Sequence, residues 1–255
     1  MKKIHWLLRG GASSVFKKIM ISLPLLHPIP DAISEELTAG IFSLVPWGYE
    51  VEGDVVGIMP DLIQKISEQA KLPIKLQLVP YKRMFVQLEN GEIDFAIFYR
   101  SNKSEEIAEP ILRVHTVNNV VYGRSNSVLN QYEDLSNFRI AAPLGVYFLP
   151  RFDIDEKLAK TNVPNYTNAV KMFKSKRVTA VVGPGITLRH LFRAFAIQRQ
   201  TLSSPLTISK SEIWIQFSHS SKKAHLKSII KKVALELREN GTFSRLIKHG
   251  DNEDW

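Results

Sequence analysis

From residue 37 onward the chain alternates between two hydrophobic periods. Leu37 to Val45 is rich in apolar residues and reads as a strand. Between Pro60 and Lys71, Leu62, Ile63, Ile66 and Ala70 fall at i, i+1, i+4 and i+8, which is one face of a helix. Ile74 to Val79 then alternates, with Ile74, Leu76 and Leu78 on one side, as a half-buried strand does. Tyr81 to Asn90 returns to helical spacing through Met84, Phe85 and Leu88, with Gly91 as the stop signal. Ile93 to Tyr99 is nearly continuous in apolar residues, the pattern of a strand covered on both faces. Strand, helix, strand, helix, strand in this order predicts a mostly parallel sheet built with right-handed crossovers.

The same grammar comes back further along. Phe138 to Ala142 reads as a strand, Asn168 to Lys176 as a helix, Arg177 to Val182 as a strand and Thr187 to Phe195 as a helix. Phe85–Ile97 and Ala169–Val182 share one local order of helix, turn and buried strand, and two such α/β units predict two lobes. Lys222 to Glu239 is a long amphipathic helix. Leu226, Ile229, Ile230, Val233 and Leu237 form its stripe, Lys223, Lys227 and Lys231 lie off it, and Asn240-Gly241 ends it. Thr242 then caps a last short helix through Leu246.

The 255 residues, 44% of them hydrophobic, suffice for one or two sizeable cores. The formal net charge of +9 is unevenly placed. Residues 1–34 carry Lys2, Lys3, Arg9, Lys17 and Lys18 against Asp31, a net of +4, which leaves +5 on the rest. A remainder of that size suggests anionic partners, but no dense basic stripe interleaved with aromatics points to nucleic acid. The absence of cysteine excludes disulfides, thiolate nucleophiles and cysteine-based metal sites.

In residues 1–34, basic residues precede the apolar run Ile19–Leu26, and Ala32-Ile33-Ser34 places small residues where a signal peptidase reads. An export signal is the expectation. No run of 18 apolar residues exists, so no transmembrane helix is expected.

Several landmarks carry a family resemblance. Gly57-Ile58-Met59-Pro60-Asp61-Leu62-Ile63, Pro80-Tyr81-Lys82-Arg83, Leu88-Glu89-Asn90-Gly91-Glu92-Ile93-Asp94 and Glu109-Pro110-Ile111 follow one another in order. Asp134-Leu135, Arg139-Ile140-Ala141 and Ile213-Trp214-Ile215-Gln216-Phe217-Ser218 complete the series. Over about residues 37 to 250 the chain resembles the bacterial extracellular solute-binding proteins, family 3. These capture substrates for ABC importers of polar amino acids and similar solutes.

The resemblance implies a periplasmic-binding-protein type II fold. Each of its two lobes is a mixed, mostly parallel sheet flanked by helices, and two crossing strands join them. The implied organisation is a signal peptide over 1–34, a discontinuous first lobe of 35–120 plus 214–255, and a second lobe of 121–213. The implied function is periplasmic capture of a small polar, anionic or amino-acid-like solute, without cofactor or metal. An ABC permease or a membrane sensor is the implied partner, and the chain is expected to act as a monomer.

Ligands in open α/β sheets sit beyond the carboxyl ends of the strands. That rule selects Trp47 and Tyr49 after the first strand, as aromatic stacking platforms, and Tyr81 and Arg83 after the second. It also selects Tyr99 and Arg100 after the third, and Tyr147 and Gly183 in the second lobe, where Gly183-Pro184-Gly185 opens a helix. Two positions depart from the family. The arginine expected about twelve residues after Asp94 falls at Glu106 or a neighbour, and the acidic residue expected to hold an α-amino group falls at Thr179. Capture of an ordinary α-amino acid does not follow from this sequence.

Two other functions stay open: a soluble sensory or orphan binding protein, and a dehydratase-like enzyme on the same fold. The seven histidines show no paired metal spacing, and no nucleophile elbow or phosphate loop is present. His219 reads as a polar residue at a strand end.

Overall fold

A computed structural model describes residues 35–251. The elements run β1 (Leu37–Phe42), β2 (Tyr49–Val51), β3 (Asp54–Val56), α1 (Ile58–Ala70), β4 (Ile74–Val79), α2 (Tyr81–Glu89), β5 (Phe95–Tyr99), α3 (Asn102–Ile107) and β6 (Ala108–Tyr122). They continue with β7 (Arg139–Pro143), α4 (Pro150–Ile154), β8 (Ala159–Val163), α5 (Tyr166–Lys174), β9 (Ala180–Pro184), α6 (Gly185–Ala194), β10 (Leu206–Ser218), α7 (Lys227–Glu239) and α8 (Thr242–Asp251). The expected export signal lies outside the described residues. Among the described residues no helix is long and apolar enough to cross a membrane.

Eight strands form one sheet in the order β4-β1-β5-β10-β6-β9-β7-β8. β4, β1 and β5 are parallel to one another, as are β8, β7 and β9. Between these triples run β10 and β6, antiparallel to each other from Leu206↔Val121 to Ser218↔Ala108.

The register sets where the two triples end. Tyr99, at the carboxyl end of β5, pairs with Ile213, which pairs in turn with His115. Pro184, at the carboxyl end of β9, pairs with Asn119. The carboxyl edges of both triples therefore face each other across four residues of β6, about 13 Å of strand.

The apolar core divides along the same line. One cluster draws on residues between Leu37 and Val117, on Ile213, Ile215 and Phe217, and on Leu226 to Ile247. Two others draw on residues between Val120 and Leu202, one on each face of the β7–β9 triple. Ile186, from α6, crosses the line and packs with the first cluster. A second tie is Arg189, whose guanidinium grips both oxygens of Asp251 at the end of α8. These contacts leave the described chain within a single compact unit.

Asp94 pins the first triple. It is buried at 2% exposure, just before β5. Its carboxylate accepts bonds from Thr38 N at 2.7 Å, Ser221 Oγ at 2.7 Å and Lys223 Nζ at 2.9 Å. Its own N–H donates to the Thr38 carbonyl, and its carbonyl accepts from Ser218 N. One side chain thus joins the starts of β1 and β5 to the end of β10. Gln216, fully buried, does similar work higher up, donating to the Phe98 carbonyl and accepting from Ser104 Oγ at 2.8 Å.

Boundaries differ from the sequence expectations in instructive ways. The first strand stops at Phe42 rather than Val45, because Leu44 and Gly48 bridge to each other and turn the chain back. The last helix runs through Asp251, five residues past Leu246, because Phe243 and Ile247 both reach the core. Residues 222–226 fold mostly as a 3₁₀ turn, so the long helix starts at Lys227.

Asp94→Ala is expected to destabilise the protein by about 3 kcal/mol, since it strands the Thr38 N–H and the Ser221 hydroxyl and releases Lys223. Lys223→Ala is expected to cost no more than about 1 kcal/mol, because the ammonium stays partly solvated. Urea unfolding of both variants checks the difference, and equal losses would contradict this role for Asp94.

Candidate functional site

The facing strand ends bring together aromatic side chains from both triples. Phe42 ends β1, and its ring lies edge-on to Tyr81 at 5.2 Å and tilted against Tyr99 at 5.9 Å. Tyr81 opens α2 and also packs against Phe85 at 5.3 Å. From the opposite side Tyr166 enters at the first position of α5, held there by the Asn165 cap, whose side chain accepts from Asn168 N at 2.9 Å. Tyr166 lies over Gly183. A Cβ at Gly183 would stand 2.6 Å from the Tyr166 ring, so the strand must carry glycine there.

Two of the three phenols act on the third. Burial raises the Tyr99 hydroxyl well above its ordinary value, and the neighbouring phenols of Tyr166 and Tyr81 push it further. Burial also raises Tyr166 and Tyr81, the latter more open to screening because 38% of its surface is exposed. All three stay protonated near neutral pH and are available as O–H donors. The Tyr99 hydroxyl is enclosed and, among the described residues, has no hydrogen-bond partner, as is true of Trp47 Nε1 and Thr187 Oγ1. Such an atom costs free energy unless something completes it, and of the three Tyr99 is the one at the facing strand ends beside other phenols.

Two cations stand in the first turns of α2 and α3. Arg83, in the first turn of α2, is exposed, and no carboxylate among the described residues pairs with it. Lys103, in the first turn of α3, reaches over the Phe85 ring at 5.9 Å. It is equally without a carboxylate partner. Lys103 and Tyr166 were not among the expected site residues. Each follows a helix-capping residue, Ser101 by two positions and Asn165 by one, and those capping signals are legible in the sequence.

The other expected site residues are placed differently. Trp47 is a correction: it is fully buried in the first core cluster, 6.1 Å from the His115 ring, and offers no face to a ligand. The cause is local. Ile58 N and Met59 N, at the head of α1, bond the carbonyls of Pro46 and Trp47 and pull the loop inward. Gly57, with φ of +125° and Pro46 O 2.6 Å from where a Cβ would be, makes that approach feasible.

Arg100 is engaged rather than waiting. It pairs with Glu105 at 2.6 Å and lies over Trp214 at 4.8 Å, and the Glu105 bond raises its already high pKa. Tyr147 sits on the loop after β7 and is 85% exposed. Of the family-departure positions, Glu106 is exposed on α3. Thr179 lies at the amino end of β9, away from the facing strand ends, and its hydroxyl accepts from Arg139 N. At the carboxyl end of β9 stand Pro184 and Gly185.

Tyr49 belongs to a separate pocket of 560 Å³ between α1, α6 and α8, lined also by Asp61, His190, Arg193 and His249. Its ring lies 5.9 Å from that of His190. Burial, then Arg193, lowers the His190 pKa. Burial raises that of Asp61, with His249 and Lys65 opposing.

The sequence profile of the bacterial extracellular solute-binding proteins, family 3, matches residues 38–249, and the chain belongs to that family. No curated protein shows significant sequence similarity to it. Among solved structures, an ancestral cationic amino acid solute-binding protein superposes with a TM-score of 0.70 at 13% identity. The match covers 84% of this chain and 94% of that one. A mutant of the arginine-binding protein ArgBP from T. maritima gives 0.66 at 21% identity, covering 84% and 94%. A histidine kinase sensor domain similar to periplasmic binding proteins gives 0.68 at 16% identity, covering 83% and 94%. The fold is that of the type II periplasmic binding proteins, a mixed sheet flanked by helices.

Gly183→Ala is expected to lose roughly 1–3 kcal/mol through overlap with Tyr166. Adding Tyr166→Ala is expected to recover at least about 1 kcal/mol of that loss. Thermal unfolding of the double-mutant cycle reads the coupling, and additive losses would refute the close approach.

Proposed function

We propose that this protein is exported and captures a small, polar, anionic solute between two lobes, 35–120 with 214–255 and 121–213, for delivery to an ABC permease. The observation that carries the reading is the edge where the strand ends meet. There, among the described residues, an unpartnered tyrosine hydroxyl lies among aromatic rings, with Lys103 over Phe85 and Arg83 exposed two residues past Tyr81. Donors and cations without carboxylate partners favour an anion. Closing two surfaces around it expels water and strengthens each polar contact. The division of the apolar core near residues 117–120 and 208–213 supports two lobes. Family membership supports solute binding outside the cytoplasm; the reading further takes residues 1–34 as a leader removed on export and the protein as a monomer.

A second reading is a soluble sensor that docks on a membrane partner. The likeness to a histidine kinase sensor domain favours it. So does the aromatic filling of the edge, which holds the strand ends together without a solute. Loss of solute uptake on deleting the gene supports the transport reading. Unchanged uptake with an altered transcriptional response supports the sensor.

Arg83→Ala is expected to weaken anion binding at least about tenfold, a loss of one charge-assisted contact. Arg100→Ala is expected to change it less than about threefold, because Arg100 is committed to Glu105. Titration calorimetry makes the comparison. Unaltered affinity in Arg83→Ala would remove the edge from consideration. Mass spectrometry of the exported protein is expected to find Glu35 at its amino terminus, and a retained leader would contradict export by cleavage.

A further inference from the structure

The charges at the facing strand ends restrict the anion further, on the premise, taken from the preceding reading, that this edge is the ligand site. We propose that the ligand is a carboxylic acid carrying no ammonium group. Its carboxylate is held by the Tyr99 and Tyr166 hydroxyls, with Arg83 and Lys103 as counter-charges.

Several charged groups near the edge are already committed. The loops after β4 and β5 supply Lys82, Arg83, Arg100 and Lys103 against Glu105 and Glu106, and β10 adds Glu212, which is bound to Arg113 and the Trp214 N–H. Glu105 is bound to Arg100. Glu106 stands in solvent, where an ammonium is attracted only weakly. The loop after β7 is uncharged from Leu144 to Leu149, and the first acid beyond it, Asp153, caps its own helix by accepting from Phe148 N and Leu149 N. The segments after β8 and β9, Pro164 to Thr167 and Gly185 to Thr187, contain no acid.

Asp61 lies in the pocket beside α6 and α8, where the charges acting on it are those of His249 and Lys65. An enclosed ammonium would find no buried carboxylate, and burying an unpaired charge is strongly unfavourable. A carboxylate finds the opposite: hydroxyl donors that stay protonated, one of them lacking any partner, and spare cations. Phe42 and Phe85, packed on either side of Tyr81, would offer an apolar or aromatic body ring surface once the edge opens.

The test is titration calorimetry of the purified protein against matched pairs that differ by one amino group: succinate and aspartate, glutarate and glutamate, 3-phenylpropionate and phenylalanine. In at least one pair the acid without the amino group is expected to bind roughly tenfold or more tightly than its partner. That binding is expected to weaken in Tyr99→Phe and Arg83→Ala and to persist in Asp61→Asn. Tyr99→Phe removes a hydroxyl that has no partner in the protein, so its melting temperature is expected to hold or rise, which separates lost binding from lost folding. An amino acid binding as tightly as or more tightly than its partner acid, with dependence on Arg83, overturns the proposal while leaving capture at this edge intact. Absence of binding in every pair overturns both.

Discussion

The antiparallel ladder between β6 and β10 is the constraint on which the structure depends. Thirteen residues of β10 run against fifteen of β6, and within the sheet β10 borders one parallel triple and β6 the other. Because the triples attach at opposite ends of this ladder and run in opposite directions, their carboxyl edges must meet near its middle. The ladder is irregular there and beyond, with register shifts between Thr207 and Ser209 and between Ile213 and Trp214. Asn119, buried in the same stretch, holds Ser209 and Ser211 through hydrogen bonds rather than apolar packing. A polar, bulged stretch between two dry cores is a natural place for bending, since neither core need be opened.

That geometry explains why the chemistry collects where it does. Strand ends release side chains that the sheet no longer orients, and two such edges in opposition give a concave space lined from both sides. Here the space is filled by Phe42, Tyr81, Tyr99 and Tyr166, and the enclosed Tyr99 hydroxyl is left without a partner. Holding such a group dry costs roughly 1–3 kcal/mol. On the proposed reading, a bound anion would recover that cost by accepting the Tyr99 hydrogen bond, in competition with the aromatic packing that now covers it.

Much of this was legible in the sequence because period and order survive folding. The strand at Ile74–Val79 was read to the residue, and the helices at Pro60–Lys71 and Tyr81–Asn90 within two residues at each end. The edge strand β8 escaped, since its sequence Ala-Lys-Thr-Asn-Val alternates too weakly to stand out, and it pairs along β7 alone. The loop aromatics were harder. Trp47 and Tyr49 differ by two positions, yet one is sealed in the core and the other borders a pocket. What separates them is the grip of the α1 head on the Pro46 and Trp47 carbonyls. Ion pairing was likewise invisible: Arg83 and Arg100 look alike in sequence, and only the fold brings Glu105 to one of them. Tyr166 had no hydrophobic pattern to announce it, because its role arises from facing Gly183 in a different strand.

The most direct test is hydrogen exchange measured with and without a saturating anionic ligand. The account predicts protection at the strand-end segments 80–83, 99–103 and 165–167, which belong to opposite halves of the sheet and share nothing except the facing edge. Protection confined to residues 46–49, 190–194 and 246–250 would place the ligand in the pocket beside α8 and contradict the account.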